Sequence, residues 1–160
     1  MDRTAKLHRG GYILLTKAFV VRLQNNRNGE LKDYKVHCFN GEPKMTLVCS
    51  DRFSEDGLRE DFFDEDWYHL PVKRPEHQNS EMSIENPVNF EQMKELARQL
   101  SKDIPFVRTD FYEINGKVYF GELTFYPASG FSGFDPEKWD HTLGEWIALP
   151  DNRGGVLHSK

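Results

Sequence analysis

The chain has 160 residues, enough for one domain with a real core, and a formal charge of −5 with its basic residues dispersed. That balance gives no reason to expect nucleic-acid binding, and no apolar run is long enough to span a bilayer. Charged residues at 29% and hydrophobic residues at 38% point to a soluble globular chain, and the cytoplasm is its expected location.

Residues 1–30 form an atypical N-terminal segment. The apolar stretch Tyr12–Leu15 and Ala18–Val21 is interrupted by Lys17, and no small-residue cleavage site follows, so it is a poor signal peptide. From Asp33 onward the pattern sharpens. Tyr34–Asn40 and Lys44–Ser50 read as two strands joined around Asn40-Gly41-Glu42-Pro43. Cys38 and Cys49 lack metal-ligand spacing and read as buried thiols, with a disulfide across the hairpin as the minor alternative. The histidines show no zinc-ligand spacing.

Glu55 to Asn86 is polar and broken by prolines. It reads as loop with one short strand near Trp67, and with Phe62, Phe63, Trp67 and Tyr68 anchoring it to the core. Asn89 to Ser101 is a helix: Phe90, Met93, Leu96, Ala97 and Leu100 recur at helical spacing, and Asn89 and Gln92 are placed as a capping box. A second helix is expected to start at Asp135-Pro136-Glu137, with the aspartate as cap and Trp139, Leu143, Trp146 and Ile147 on its apolar face. Residues 151–160 read as a flexible tail.

The stretch Pro105–Phe131 carries the chemistry. Arg108 and Asp110 lie two apart, then Asn115-Gly116 signals a turn, then Glu122 and Thr124 lie two apart. Residues two apart on a strand share a face. A two-residue Asn115-Gly116 loop pairs Ile114 with Lys117, puts Asp110 opposite Gly121 and turns Glu122 to the other face. A three-residue loop pairs Glu113 with Lys117 and sets Arg108 opposite Glu122 on one side. The three-residue loop is the expectation, because it gathers the carboxylates; the two-residue turn stays open as a strong hairpin signal. The sum is an α+β chain, an antiparallel sheet of two hairpins backed by helices, with its other face polar and open to a ligand.

The pattern Arg-x-Asp, hairpin, Glu-x-Thr-x-x-Pro, then Gly resembles the metal-binding end of the ATP-grasp fold, shared by D-alanine–D-alanine ligases and other carboxylate–amine ligases. Within that fold the chain resembles the TupA-like family, named for teichuronopeptide biosynthesis, whose members are often labelled glycosyltransferases or polysaccharide-biosynthesis proteins. The resemblance rests on residues 33–44, 50–53, 100–131 and 134–150. It implies a partial ATP-grasp domain over residues 31–150, corresponding to the C-terminal part of that fold. The cofactors implied are Mg2+ and ATP. Asp110, Glu122 and Thr124 are the implied metal ligands, Arg108 is the residue on the transferring phosphoryl group, and Asp33, Lys35 and Arg52 are nucleotide contacts. The hinge-like acidic strand of the family is replaced by Ala18–Asn26, and the upstream domains of full enzymes are not in the sequence. The expectation is therefore a truncated module, inactive alone, with an acidic polymer or small molecule as substrate and room for a protein partner supplying the other wall.

Two alternatives stand beside this reading. A metal-dependent glycosyltransferase would call for an Asp-x-Asp motif, and Asp64-Glu65-Asp66 lies in a loop. A non-catalytic remnant would bind without turnover. Without the resemblance, Arg108, Asp110 and Glu122 would read as a surface cross-strand ion pair contributing about 0.2–1 kcal/mol.

Overall fold

The computed structural model describes residues 31–51, 57–150 and 156–157. Five antiparallel strands form the main sheet: β1 (Asp33–Phe39), β2 (Glu42–Ser50), β3 (Arg59–Asp64), β4 (Phe106–Ile114) and β5 (Lys117–Thr124). Their order is β3-β2-β1-β4-β5, so the two expected hairpins lie side by side through β1 and β4. The segment read as loop contributes a fifth strand, β3, a few residues before Trp67. Its run Arg59–Asp64 alternates poorly because both faces are covered: Phe62 lies on one and Phe63 on the other.

Helix α1 (Phe90–Ser101) packs Met93 and Ala97 against Val36, Cys38, Val48, Val107 and Phe111. The capping box does not form. Asn89 instead donates through Nδ2 to Glu113 Oε1 and to the Gly116 carbonyl, tying the helix start to the β4–β5 turn. Trp67 stacks on Phe63 with ring centroids 4.4 Å apart and donates to the Ile84 carbonyl, so the expected aromatic anchor holds. Tyr68 is exposed and takes no part in it.

The opposite face is divided. Near the Asn40-Gly41 turn, Phe39, Met45, Leu47 and Phe62 are covered by Leu143 of α2 (Lys138–Glu145), with Val72, Trp139 and Trp146 packed around them. Asn40 fastens this cover, donating to the Trp146 carbonyl and accepting from Ala148 N–H. Asp135 does not cap α2; its backbone pairs in both directions with Lys73, at 3.0 and 2.8 Å. The other end of this face carries the charged side chains. Cys38 and Cys49 are free, buried and in separate apolar clusters on the two faces, which rules out the disulfide. Val156–Leu157 (β7) pairs with Leu149–Pro150 (β6), so the tail is held at that point. The N-terminal segment lies outside the described residues.

Candidate functional site

The β4–β5 turn is the two-residue Asn115-Gly116 turn, with Ile114 paired to Lys117 and both turn residues at positive φ. The expected three-residue loop is therefore corrected. The common face survives because the ladder slips once. Phe111 pairs with Phe120 but Thr109 pairs with Leu123, so Gly121 and Glu122 together oppose Asp110. A β-bulge reverses the alternation beyond it and returns Glu122 and Thr124 to the side of Arg108. Gly121 permits this. A Cβ there would lie 3.1 Å from the Tyr112 ring and 3.2 Å from the Asp110 carbonyl oxygen.

β1 pairs Lys35 with Asp110 and His37 with Arg108, which brings Asp33 and Lys35 to the same cluster. Arg108 grips Asp110 with two bonds, Nε to Oδ1 at 2.7 Å and an Nη2 bond to Oδ2 at 2.8 Å. Lys35 Nζ adds a third at 2.6 Å and contacts Asp33 Oδ2 at 2.7 Å. From the edge strand, Thr124 Oγ1 accepts from Arg108 at 3.1 Å and Glu122 Oε1 lies 3.4 Å from the same nitrogen. Asp110 is 2% exposed, whereas the Glu122 side chain is 65% exposed. Arg52 lies outside the described residues.

Burial acts to lower the Lys35 pKa, but Asp110 and Asp33 outweigh it and the ammonium's pKa rises above its ordinary value. Lys35 is thus a fixed positive charge. Beneath it sits His37, which the sequence reading passed over although it shares the parity of Asp33 and Lys35 on β1. Burial, then Arg108 and Arg74, push its pKa down to about 3, so it is neutral. Its Nδ1 lies 3.0 Å from the Lys35 carbonyl and therefore carries the proton that it donates.

Beside the cluster opens a cleft of about 280 Å3, lined by Lys35 and Arg108 together with Glu60, Arg74, Glu76 and His77. Glu60 comes from β3 and Arg74 from the following loop; neither stood out in the sequence, since no local periodicity marks a loop residue as site-forming. The segment after β5 closes the rim through Ala128 and Ser132. Ala128 and Ser129 hold φ of 49° and 57°, a left-handed conformation that costs non-glycine residues about 1–2 kcal/mol each. Asp64 has a local task instead: its Oδ1 accepts the backbone N–H groups of Asp66 and Tyr68 and shapes the turn after β3.

The sequence profile of the TupA-like ATPgrasp family matches residues 17–148. The chain belongs to the TupA-like ATP-grasp family. No curated protein and no solved structure matches it significantly. ATP-grasp proteins generally bind ATP and Mg2+. Among the described residues no helix is long and apolar enough to cross a membrane, and no three His, Cys, Asp or Glu side chains converge as a ready metal site. In this TupA-like chain the donor set still fits magnesium. Two cations (Lys35, Arg108) face three carboxylates (Asp33, Asp110, Glu122). Magnesium commonly takes one or two protein carboxylates and fills its shell with water and substrate phosphates. Asp110 accepts three bonds of the four its oxygens offer, leaving one lone pair, and Glu122 stands open.

Proposed function

We propose that this chain provides the magnesium- and phosphate-binding wall of an ATP-grasp carboxylate–amine ligase in the cytoplasm, serving cell-surface polysaccharide or teichuronopeptide synthesis. The observation that carries the proposal is the single-faced cluster of Lys35, Arg108, Asp110, Glu122 and Thr124, whose charges are fixed on β1 and β4 and open on β5.

Asp110 and Glu122 would hold Mg2+, with Thr124 beside them; the metal, when bound, draws phosphate oxygens together and neutralises their charge. Lys35 and Arg108 act on the polyphosphate. A guanidinium locked by two bonds to Asp110 has little rotational freedom left to lose, so its remaining donors meet the transferring phosphoryl group pre-oriented. Asp33 restrains Lys35 and stands where the ribose is expected. Phosphoryl transfer to a substrate carboxylate needs positioning and charge stabilisation rather than a protein nucleophile, and no nucleophile is assigned. An amine then attacks the acyl carbon of the acyl phosphate, forming the amide as the acyl–oxygen bond breaks and inorganic phosphate and a proton leave. Family membership and the oxygen-rich cluster support this reading over a glycosyltransferase, because Asp64 is occupied in its turn.

The test is calorimetric titration of the 160-residue chain with ATP, with and without Mg2+, and with a UDP-sugar. Magnesium-dependent ATP binding that disappears in Glu122→Ala is expected. Preference for the UDP-sugar would refute the ligase reading, and a folded chain that binds no nucleotide would favour the non-catalytic remnant.

A further inference from the structure

The cleft is also lined by charged groups that the phosphate chemistry leaves unused. Arg74 is 8% exposed and Glu60 7%. Arg74 Nε stands 3.6 Å from Glu60 Oε2, an ion pair too long for a hydrogen bond. Arg74 Nη1 and Glu60 Oε2 are both buried without a hydrogen-bond partner. The guanidinium lies over the Phe134 ring at 5.2 Å, which fixes its plane. His77 Nε2 is 3.9 Å from the other Glu60 oxygen, Oε1. Burial pushes the Glu60 carboxyl pKa up, while His77 and Arg74 pull it back.

An unmet buried donor beside an unmet buried acceptor is destabilising unless something supplies both complements. A simple anion would serve Arg74 and leave Glu60 wanting; a simple amine would do the reverse. The two residues line the same cleft as Lys35, Arg108 and Glu76, whose carboxylate accepts from Ser132, and about 280 Å3 suits a small molecule rather than a polymer segment. Resting on the ligase reading, we propose that this cleft seats the amine substrate as a free amino acid, its carboxylate on Arg74 and its amino group on Glu60. That placement puts the amine in the same cleft as Arg108, the residue assigned to the phosphoryl group.

Titration of the unmodified chain with glycine, L-alanine and L-glutamate, and with acetate and methylamine as single-ended controls, tests the proposal without any variant. At least one amino acid is expected to bind about tenfold or more tightly than either control, as two charge-assisted bonds outweigh one. Arg74→Lys and Glu60→Gln are each expected to weaken it by about tenfold, with thermal melts confirming that both fold. Controls that bind as well as the amino acids, no binding by any of the three, or affinity indifferent to both substitutions would each overturn the proposal. Mg-ATP titrated in parallel reads the ligase proposal separately. A chain that takes an amino acid in this manner but no nucleotide keeps the cleft assignment and sinks the ligase reading.

Discussion

The central strands and the edge strand contribute to one charged face under opposite conditions. On β1 and β4, Asp33 and Asp110 are buried and Lys35 is only partly exposed, all bonded at 2.6–2.8 Å. On β5, Glu122 is exposed and touches Arg108 only at 3.4 Å. Charges taken out of water must be paired, so the central half works as a frame whose geometry is fixed before any ligand arrives. The edge half keeps its hydration, which on the proposed function it would exchange for a metal or a phosphate. A site of this kind divides its labour: strand centres supply rigidity, and the edge supplies ligand capacity.

The largest blow to that division is Asp110→Ala, which strands Lys35 and Arg108 without their shared carboxylate. A loss of about 3–5 kcal/mol is expected in urea unfolding; a loss under about 1 kcal/mol would mean the frame is not held by this pair.

The next effect comes from acid. His37 has its folded pKa depressed from 6.5 to about 3. The unfolded chain binds the proton first as pH falls, so the neutral buried ring favours the fold above about pH 6.5. That stability is lost progressively between there and about pH 3, roughly 5 kcal/mol at full extent. His37→Asn, which keeps a donor for the Lys35 carbonyl, is expected to flatten the stability–pH curve across that window; an unchanged slope would assign acid sensitivity to other groups.

Gly121→Val sharpens the comparison at the bulge. The added side chain collides with Tyr112 and the Asp110 backbone, and about 1–3 kcal/mol of overpacking is expected. Because the slip carries Glu122 and Thr124 to the face of Arg108 and Asp110, the proposed magnesium-dependent ATP binding should fall with it. Retained binding in a folded variant would show that the bulge is dispensable.

The smallest stability change belongs to Glu122→Ala, within about 0.5 kcal/mol by thermal or urea unfolding, as befits an exposed side chain. A large stability loss there would erase the distinction between frame and edge.

Much of this was legible in the residues. The Asn40-Gly41 and Asn115-Gly116 pairs located both hairpins, the helical spacing of Phe90, Met93 and Ala97 located α1, and Arg108, Asp110, Glu122 and Thr124 do share a face. The route to that shared face was misread. A two-residue turn was set against a regular ladder, when a glycine inside a strand, Gly121, was the available signal for a bulge. Asn89 and Asp135 have the right chemistry for caps, yet distant partners, Glu113 and Lys73, claim them.

Turn residues, apolar periodicity and the order of charged side chains act over a few neighbours, and they determined the four strands of the two hairpins, the first helix and the Arg108, Asp110, Glu122 and Thr124 cluster from sequence alone, but not β3. Only the tertiary structure decided the ladder's slip at Gly121 and the meeting of Glu60 and Arg74 with Lys35 and Arg108 in one cleft. Those outcomes depend on how distant segments pack, and long-range packing leaves no periodic trace in the chain.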